Sequence, residues 1–210
     1  MKIEAVLFDL DGVVFDTENH YTKFWTSVGK RYFPEKEDFA SVIKGHSIED
    51  ILSQYFAEHK EDWKTIETEL YEMEKQMTFP YIEGVKEFIL SLQNEGIKTC
   101  LVTSSDAIKM QTVVEKCPEI KTFFPLMVIA TDVKHAKPAP DCYLLGARKC
   151  GVRAEACLVF EDSFAGIEAG QKAGMEVIAL STTNPKEALL TKVKKVIKDF
   201  SNFSLQEACV

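Results

Sequence analysis

The chain alternates between short apolar runs and longer amphipathic stretches. Ala5-Val6-Leu7-Phe8 is a continuous apolar run ended by Asp-Leu-Asp-Gly, the pattern of a parallel strand buried on both faces. From residue 17 the period becomes helical, with Tyr21, Phe24, Trp25, Val28 and Tyr32 on one face. Ser47-Ile48-Glu49-Asp50 reads as a capping box, opening a helix whose inner face is Ile48, Ile51, Leu52, Tyr55 and Phe56. Trp63, Ile66, Leu70, Met73 and Met77 stripe a third helix. Residues 17–79 therefore read as an all-helical block.

After Pro80 helices and strands alternate. A helix carrying Val85, Phe88, Ile89 and Leu92 stops at Gly96, a suitable left-handed cap. Apolar runs at 99–102, 126–129, 157–160 and 177–180 are separated by helices near 107–116, from Pro140 to Gly151, and from Ser163 to Gly174. Strands spaced by helices and short loops form βαβ units. The expected fold is α/β, a Rossmann-like parallel sheet core built from residues 1–16 and 80–210, with the helical block 17–79 inserted after the first strand. Gly166, Gly170 and Gly174 are four apart, which suits close packing of a helix on the sheet.

Length and charge narrow the partners. At 210 residues the chain buries a core without staples. Lys and Arg number 25 against 33 Asp and Glu, a net charge of −8, and no basic run invites nucleic acid or an anionic membrane. No apolar stretch reaches the ~20 residues of a membrane span. Lys2 is followed by only a short apolar run before Asp9, so no signal peptide is expected. The six cysteines lack C-x-x-C spacing and are expected as reduced thiols. A cytoplasmic monomer follows, and the sequon at Asn202 is chance.

In an open parallel sheet, ligands bind beyond the carboxyl ends of the strands. There the first strand delivers Asp9 and Asp11, the second Thr103 and Ser104, and the fourth Glu161 and Asp162, while Lys137 follows the third. Each has an ordinary alternative: Asp11-Gly12 as a turn, the hydroxyls or Glu161-Asp162-Ser163 as helix starts, Lys137 as a surface lysine. None of those alternatives predicts that they share one edge. Phosphoryl transfer through an aspartyl-phosphate does. Asp9 and Asp162 supply hard oxygens for Mg²⁺. Lys137, Thr103 and the Ser104 amide hold the transferring oxygens. Asp11 serves as acid for the leaving alkoxide and then as base for water.

These stretches resemble the four ordered motifs of the haloacid dehalogenase-like hydrolase superfamily. The resemblance is to its β-phosphoglucomutase-like phosphatases with a helical cap. It spans nearly the whole chain and includes Phe15-Asp16-Thr17-Glu18 and Phe160-Glu161-Asp162-Ser163-Phe164-Ala165-Gly166-Ile167. It implies Asp9 as nucleophile and Asp11 as acid/base. Mg²⁺ would be bound by the Asp9 side chain, the Asp11 carbonyl and Asp162, with Glu161 supporting directly or through water. Asp11 is the carboxylate that the dehalogenase members lack. Where the mutase members carry Lys-Gly-x-Ser-Arg, this chain has Lys44-Gly45-His46-Ser47-Ile48, and Asp106 stands where they carry lysine. A lost guanidinium–phosphate contact weakens the hold on a bisphosphate. The expectation is thus a Mg²⁺-dependent phosphatase of a small phosphorylated metabolite. A phosphomutase and a non-catalytic phospho-regulatory module are the alternatives. Glu18, Asn19, His46, Ser47 and Ile48 are candidate cap contacts, equally readable as solvated or packed cap residues.

Overall fold

Alternate side chains of Ala5-Val6-Leu7-Phe8 leave their strand on opposite faces, and both faces meet an apolar layer. Val6 and Phe8 join one buried cluster, Ala5 and Leu7 another. The protein is described by a computed structural model over residues 2–209, with side chains to residue 207. Strands β1 (Ala5–Phe8), β2 (Lys98–Val102), β3 (Leu126–Val128), β4 (Cys157–Glu161), β5 (Glu176–Leu180) and β6 (Lys195–Ile197) make one six-stranded sheet. The order is β3-β2-β1-β4-β5-β6 and every neighbouring pair is parallel. The chain crosses from β3 back past β1 to β4, so β1 flanks the switch point where such sheets open a crevice.

Helices α1 (Glu18–Tyr32), α2 (Phe39–Val42), α3 (Ile48–Tyr55) and α4 (Trp63–Gln76) lie between β1 and α5 (Val85–Asn94). They pack around their own core, which includes Trp25, Val28, Phe39, Leu52, Phe56 and Ile66. The Ser47 hydroxyl accepts from the Asp50 amide at 3.2 Å, starting α3 where the capping pattern places it. Beyond α5 come α6 (Ala107–Lys116), α7 (Ile120–Phe123), α8 (Asp141–Cys150), α9 (Phe164–Lys172) and α10 (Lys186–Leu189). Apolar residues of α5 and α6 cover one sheet face, and those of α8 and α9 the other. No helix among the described residues is long and apolar enough to cross a membrane.

The structure differs from the sequence reading in small ways. Strand β6 is additional; its half-buried Lys-Val-Ile lies among lysines and shows no apolar run. Pro140 caps α8 instead of beginning it. Gly170 does pack on the sheet, since a Cβ there would stand 2.8 Å from Val177. Gly174, with nothing within 4 Å of a Cβ, is a turn residue instead. Cys100, Cys142, Cys150 and Cys157 are buried free thiols and Cys117 is half-buried, while the Cys209 side chain lies outside the described residues.

Candidate active site

The Asp9 amide extends the sheet ladder by donating to the Phe160 carbonyl at 3.0 Å. The chain then turns sharply, with the Val14 and Phe15 amides both 2.9 Å from the Leu10 carbonyl. Leu10, Val13, Val14 and Phe15 are fully buried, so the turn is held by apolar packing while Asp9 and Asp11 line the cleft beyond the strand. Gly12 has φ +76°, and a Cβ there would collide with the Asp162 carboxylate. Glycine at this point lets the two acidic loops approach.

Lys137 is buried between two carboxylates. Its Nζ lies 2.5 Å from Asp9 Oδ1 and 2.6 Å from Glu161 Oε1, and it also donates to the Val102 carbonyl at 3.3 Å. Glu161 is surrounded by donors. Tyr143 Oη reaches Oε1 at 3.0 Å, while Oε2 accepts from the Asp162 amide at 2.9 Å and from the Ser163 amide and hydroxyl at 3.0 Å. Burial alone would raise the Glu161 carboxyl, but the Lys137 charge and these hydrogen bonds hold it below its ordinary value. Lys137 loses by burial and gains more from Asp9 and Glu161, so it stays charged well above the usual lysine range. Asp9 is pushed up to about 7, because burial outweighs the Lys137 ammonium.

Asp11 sits two residues on and faces different partners. Thr17 Oγ1 donates to its Oδ1 at 2.5 Å, Ser105 Oγ to Oδ2 at 3.4 Å, and the buried Lys109 ammonium forms an ion pair with Oδ2. Thr103 is buried; its hydroxyl accepts from the Ser105 amide at 3.0 Å and donates to Ser105 Oγ at 2.9 Å. Ser104 Oγ donates to the Gly45 carbonyl at 3.0 Å, tying the β2 loop to the helical block. The hydroxyl cluster does not cap α6, because Asp106 does, accepting from the Lys109 amide at 2.9 Å. Ser163 does cap α9, while Asp162 lines the cleft and Glu161 lies buried between Lys137 and the amides that lead into the helix.

Asp162 is buried beside Thr183, whose hydroxyl donates to Oδ2, and Asn184 Nδ2 donates to the Asp162 carbonyl at 2.9 Å. Burial first, then the charges of Glu18, Glu161 and Asp9, raise its carboxyl well above the carboxylate range. Lys137 takes Asp9 Oδ1 and Thr183 takes Asp162 Oδ2, so each carboxylate has a second oxygen for a hard cation. A pair of buried carboxylates, each with an oxygen to spare, is a hard all-oxygen donor set that fits Mg²⁺ better than zinc. Among the described residues, the one trio of ligand atoms within 4.8 Å of each other is His59, Glu61 and Asp62, on the helical block. Asp9, Glu161 and Asp162 do not close to that degree, and both Glu161 oxygens are already engaged by protein donors.

Asp9, Asp11, Thr103, Ser104 and Asp162 line one cleft between the sheet edge and the helical block. Lys137 and Glu161 stand behind Asp9, in contact with it or with each other. Lys109, Glu74 and Thr183, absent from the sequence-derived candidates, and Tyr21, expected only as part of an apolar helix face, also line the cleft. A signal existed for two of them. Glu74 follows Leu70 by four on the inner stripe of α4, and Lys109 precedes Val113 by four on that of α6. A charge inside an apolar stripe marks a buried polar contact.

Residues 6–180 match the sequence profile of the haloacid dehalogenase-like hydrolases. The chain belongs to that family. It is 30% identical over 204 residues to the phosphorylated carbohydrates phosphatase of Thermotoga maritima, covering 90% of each chain. A family IA haloacid dehalogenase-like hydrolase from Entamoeba histolytica superposes with a TM-score of 0.81 at 25% identity, over 98% of this chain and 97% of that one. The β-phosphoglucomutase of Clostridium difficile shares the fold, with a TM-score of 0.79 at 21% identity over 99% and 96% of the two chains. Within the haloacid dehalogenase-like family the chain is a phosphatase, and it shares the fold of the β-phosphoglucomutase-like members. The helices between β1 and α5 are the helical cap of this fold.

Proposed function

We propose that this phosphatase is Mg²⁺-dependent and hydrolyses a small phosphorylated metabolite through an aspartyl-phosphate on Asp9. The observation that carries the reading is the buried Lys137 ammonium held 2.5 Å from Asp9, behind the cleft that Asp9 and Asp162 line. Asp9 attacks phosphorus in line with the departing alkoxide, and the P–O bond to the alcohol breaks as the acyl-phosphate bond forms. Asp11 gives its proton to the alkoxide, then takes one from the water that attacks the acyl-phosphate and frees Asp9. Thr103, the Ser104 amide and Lys137 hold the transferring oxygens. Asp9, the Asp11 carbonyl and Asp162 would hold Mg²⁺, which offsets the repulsion between the Asp9 carboxylate and a phosphate dianion. Glu161 keeps Lys137 charged and in place.

In this reading residues 17–79 act as a cap over the core of residues 1–16 and 80–210, excluding water during transfer. A phosphorylated sugar or similar phosphomonoester is the substrate class, supported by the name of the Thermotoga relative. A monomeric cytoplasmic enzyme without nucleic-acid or membrane partners accords with the net charge of −8. A mutase would need cations for a second phosphate. Ile48 lines the cleft where the mutase cap motif has arginine, and Asp106, in the loop after β2, lines it where the mutase members carry lysine. The deciding experiment supplies p-nitrophenyl phosphate, and separately a hexose 1-phosphate with a bisphosphate primer. Phosphate release without isomer exchange, abolished by Asp9→Asn and by chelation, is the expected result; isomer exchange, or turnover surviving either treatment, rejects it.

A further inference from the structure

Three buried side-chain atoms among the described residues lack a hydrogen-bond partner: His46 Nδ1, Glu74 Oε2, and Glu18 Oε2, which is met only by the Lys44 ammonium of an ion pair at 3.5 Å. All three residues line the same cleft as Asp9 and Asp11. Elsewhere buried polar atoms find partners, as they must to avoid the cost of leaving water. A cluster of unmatched atoms in one cleft is what a site looks like when the ligand completes it.

Glu74 is the most constrained of the three. Only 4% of it is exposed, and it sits on the inner stripe of α4, where Leu or Met would pack at lower cost. Tyr21 Oη donates to Oε1 at 2.8 Å and fixes the carboxyl, leaving Oε2 unmatched. The Tyr21 ring lies 4.5 Å from the Lys109 ammonium, which pairs with Asp11, so Glu74 is tied to the reacting end of the cleft. The cations there are committed: Lys109 to Asp11, and Lys44 to Glu18 at 3.5 Å and the Thr183 carbonyl at 3.4 Å.

Resting on the phosphatase reading, we propose that Glu74 determines specificity, its free oxygen taking a hydroxyl of the substrate's alcohol part. A neutral hydroxyl donates to Glu74 and satisfies it. A second anionic group at that end would meet Glu74 with no free cation beside it, and an alkyl chain would leave it unmatched, so both are disfavoured.

The test compares kcat/KM on sorbitol 6-phosphate, n-hexyl phosphate and 6-phosphogluconate for the wild type, Glu74→Leu and Glu74→Gln. The wild type should prefer sorbitol 6-phosphate at least about tenfold over both others. Glu74→Leu should lose most of the preference over hexyl phosphate, chiefly through KM. Glu74→Gln, which still accepts a hydrogen bond, should restore it while narrowing the discrimination against 6-phosphogluconate. Equal losses on all three esters in both variants, or no preference in the wild type, overturn the role of Glu74 and leave the phosphatase intact. Failure of the wild type to release phosphate from any of them, or from p-nitrophenyl phosphate, overturns the phosphatase reading and this inference with it.

Discussion

The Lys109 ammonium is buried against Asp11 Oδ2, on the carboxylate two residues beyond Asp9. Burial alone would lower the lysine, but the Asp11 and Glu74 charges outweigh it and keep it protonated. Asp11 is thereby held between an ammonium and the Thr17 hydroxyl, in one orientation. Removing one member of a buried ion pair leaves the other uncompensated, which costs about 3–5 kcal/mol. Lys109→Met should therefore lower the melting temperature by several degrees and reduce kcat at least about tenfold. Thermal unfolding and p-nitrophenyl phosphate turnover read the two effects; a variant as stable and active as the parent would remove Lys109 from the account of Asp11.

Lys137 stands between Asp9 and Glu161. Lys137→Met would leave those two buried carboxylates facing each other, so loss of activity should come with a loss of about 3–5 kcal/mol of stability. Asp9→Asn keeps the Lys137–Glu161 pair and removes a carboxylate that burial disfavours. It should be inactive yet at least as stable as the parent. Chemical denaturation of both variants separates the cases, and equal destabilisation would contradict this account of the charge balance.

Glu74 carries a pH signature of its own. Burial pushes its carboxyl from 4.5 up to about 7. The unfolded chain releases this proton first as pH rises, so between those values the native state binds more protons and stability falls with rising pH. The slope ends above the native value, after a loss on the order of 3 kcal/mol. Glu74→Gln has no proton to lose there, so its stability relative to the wild type should climb through that window and then level off. Urea unfolding at a series of pH values measures the difference, and a flat difference would place Glu74 in water.

Metal binding has a readout apart from turnover. A cation that binds only the folded state raises the unfolding temperature in proportion to the logarithm of its concentration. Mg²⁺ should stabilise the wild type and have little effect on Asp162→Asn, while chelator should remove both stabilisation and activity from the wild type. Equal Mg²⁺ shifts in the two proteins would point to another site, with His59, Glu61 and Asp62 the first to examine.

The amino-acid order alone determined the architecture and the polar edge. Continuous apolar runs such as Ala5-Val6-Leu7-Phe8 can only be buried on both faces, and the residues after each run land at the carboxyl ends of parallel strands. That is why Asp9, Asp11, Thr103, Ser104, Lys137, Glu161 and Asp162 were legible as one group. Strand β6 was not, because a three-residue edge strand among lysines has no hydrophobic signature. Which partner each charge takes was decided only by the tertiary structure. Lys137 is 128 positions from Asp9, Lys109 is 98 from Asp11, and Tyr21 is 53 from Glu74. Their pairing depends on how the helical cap and α6 come to rest over β1. Burial then sets the energetics, because the same carboxyl that is ordinary in water becomes a charge needing a cation, or a hydrogen-bond acceptor needing a ligand, once the cleft closes around it.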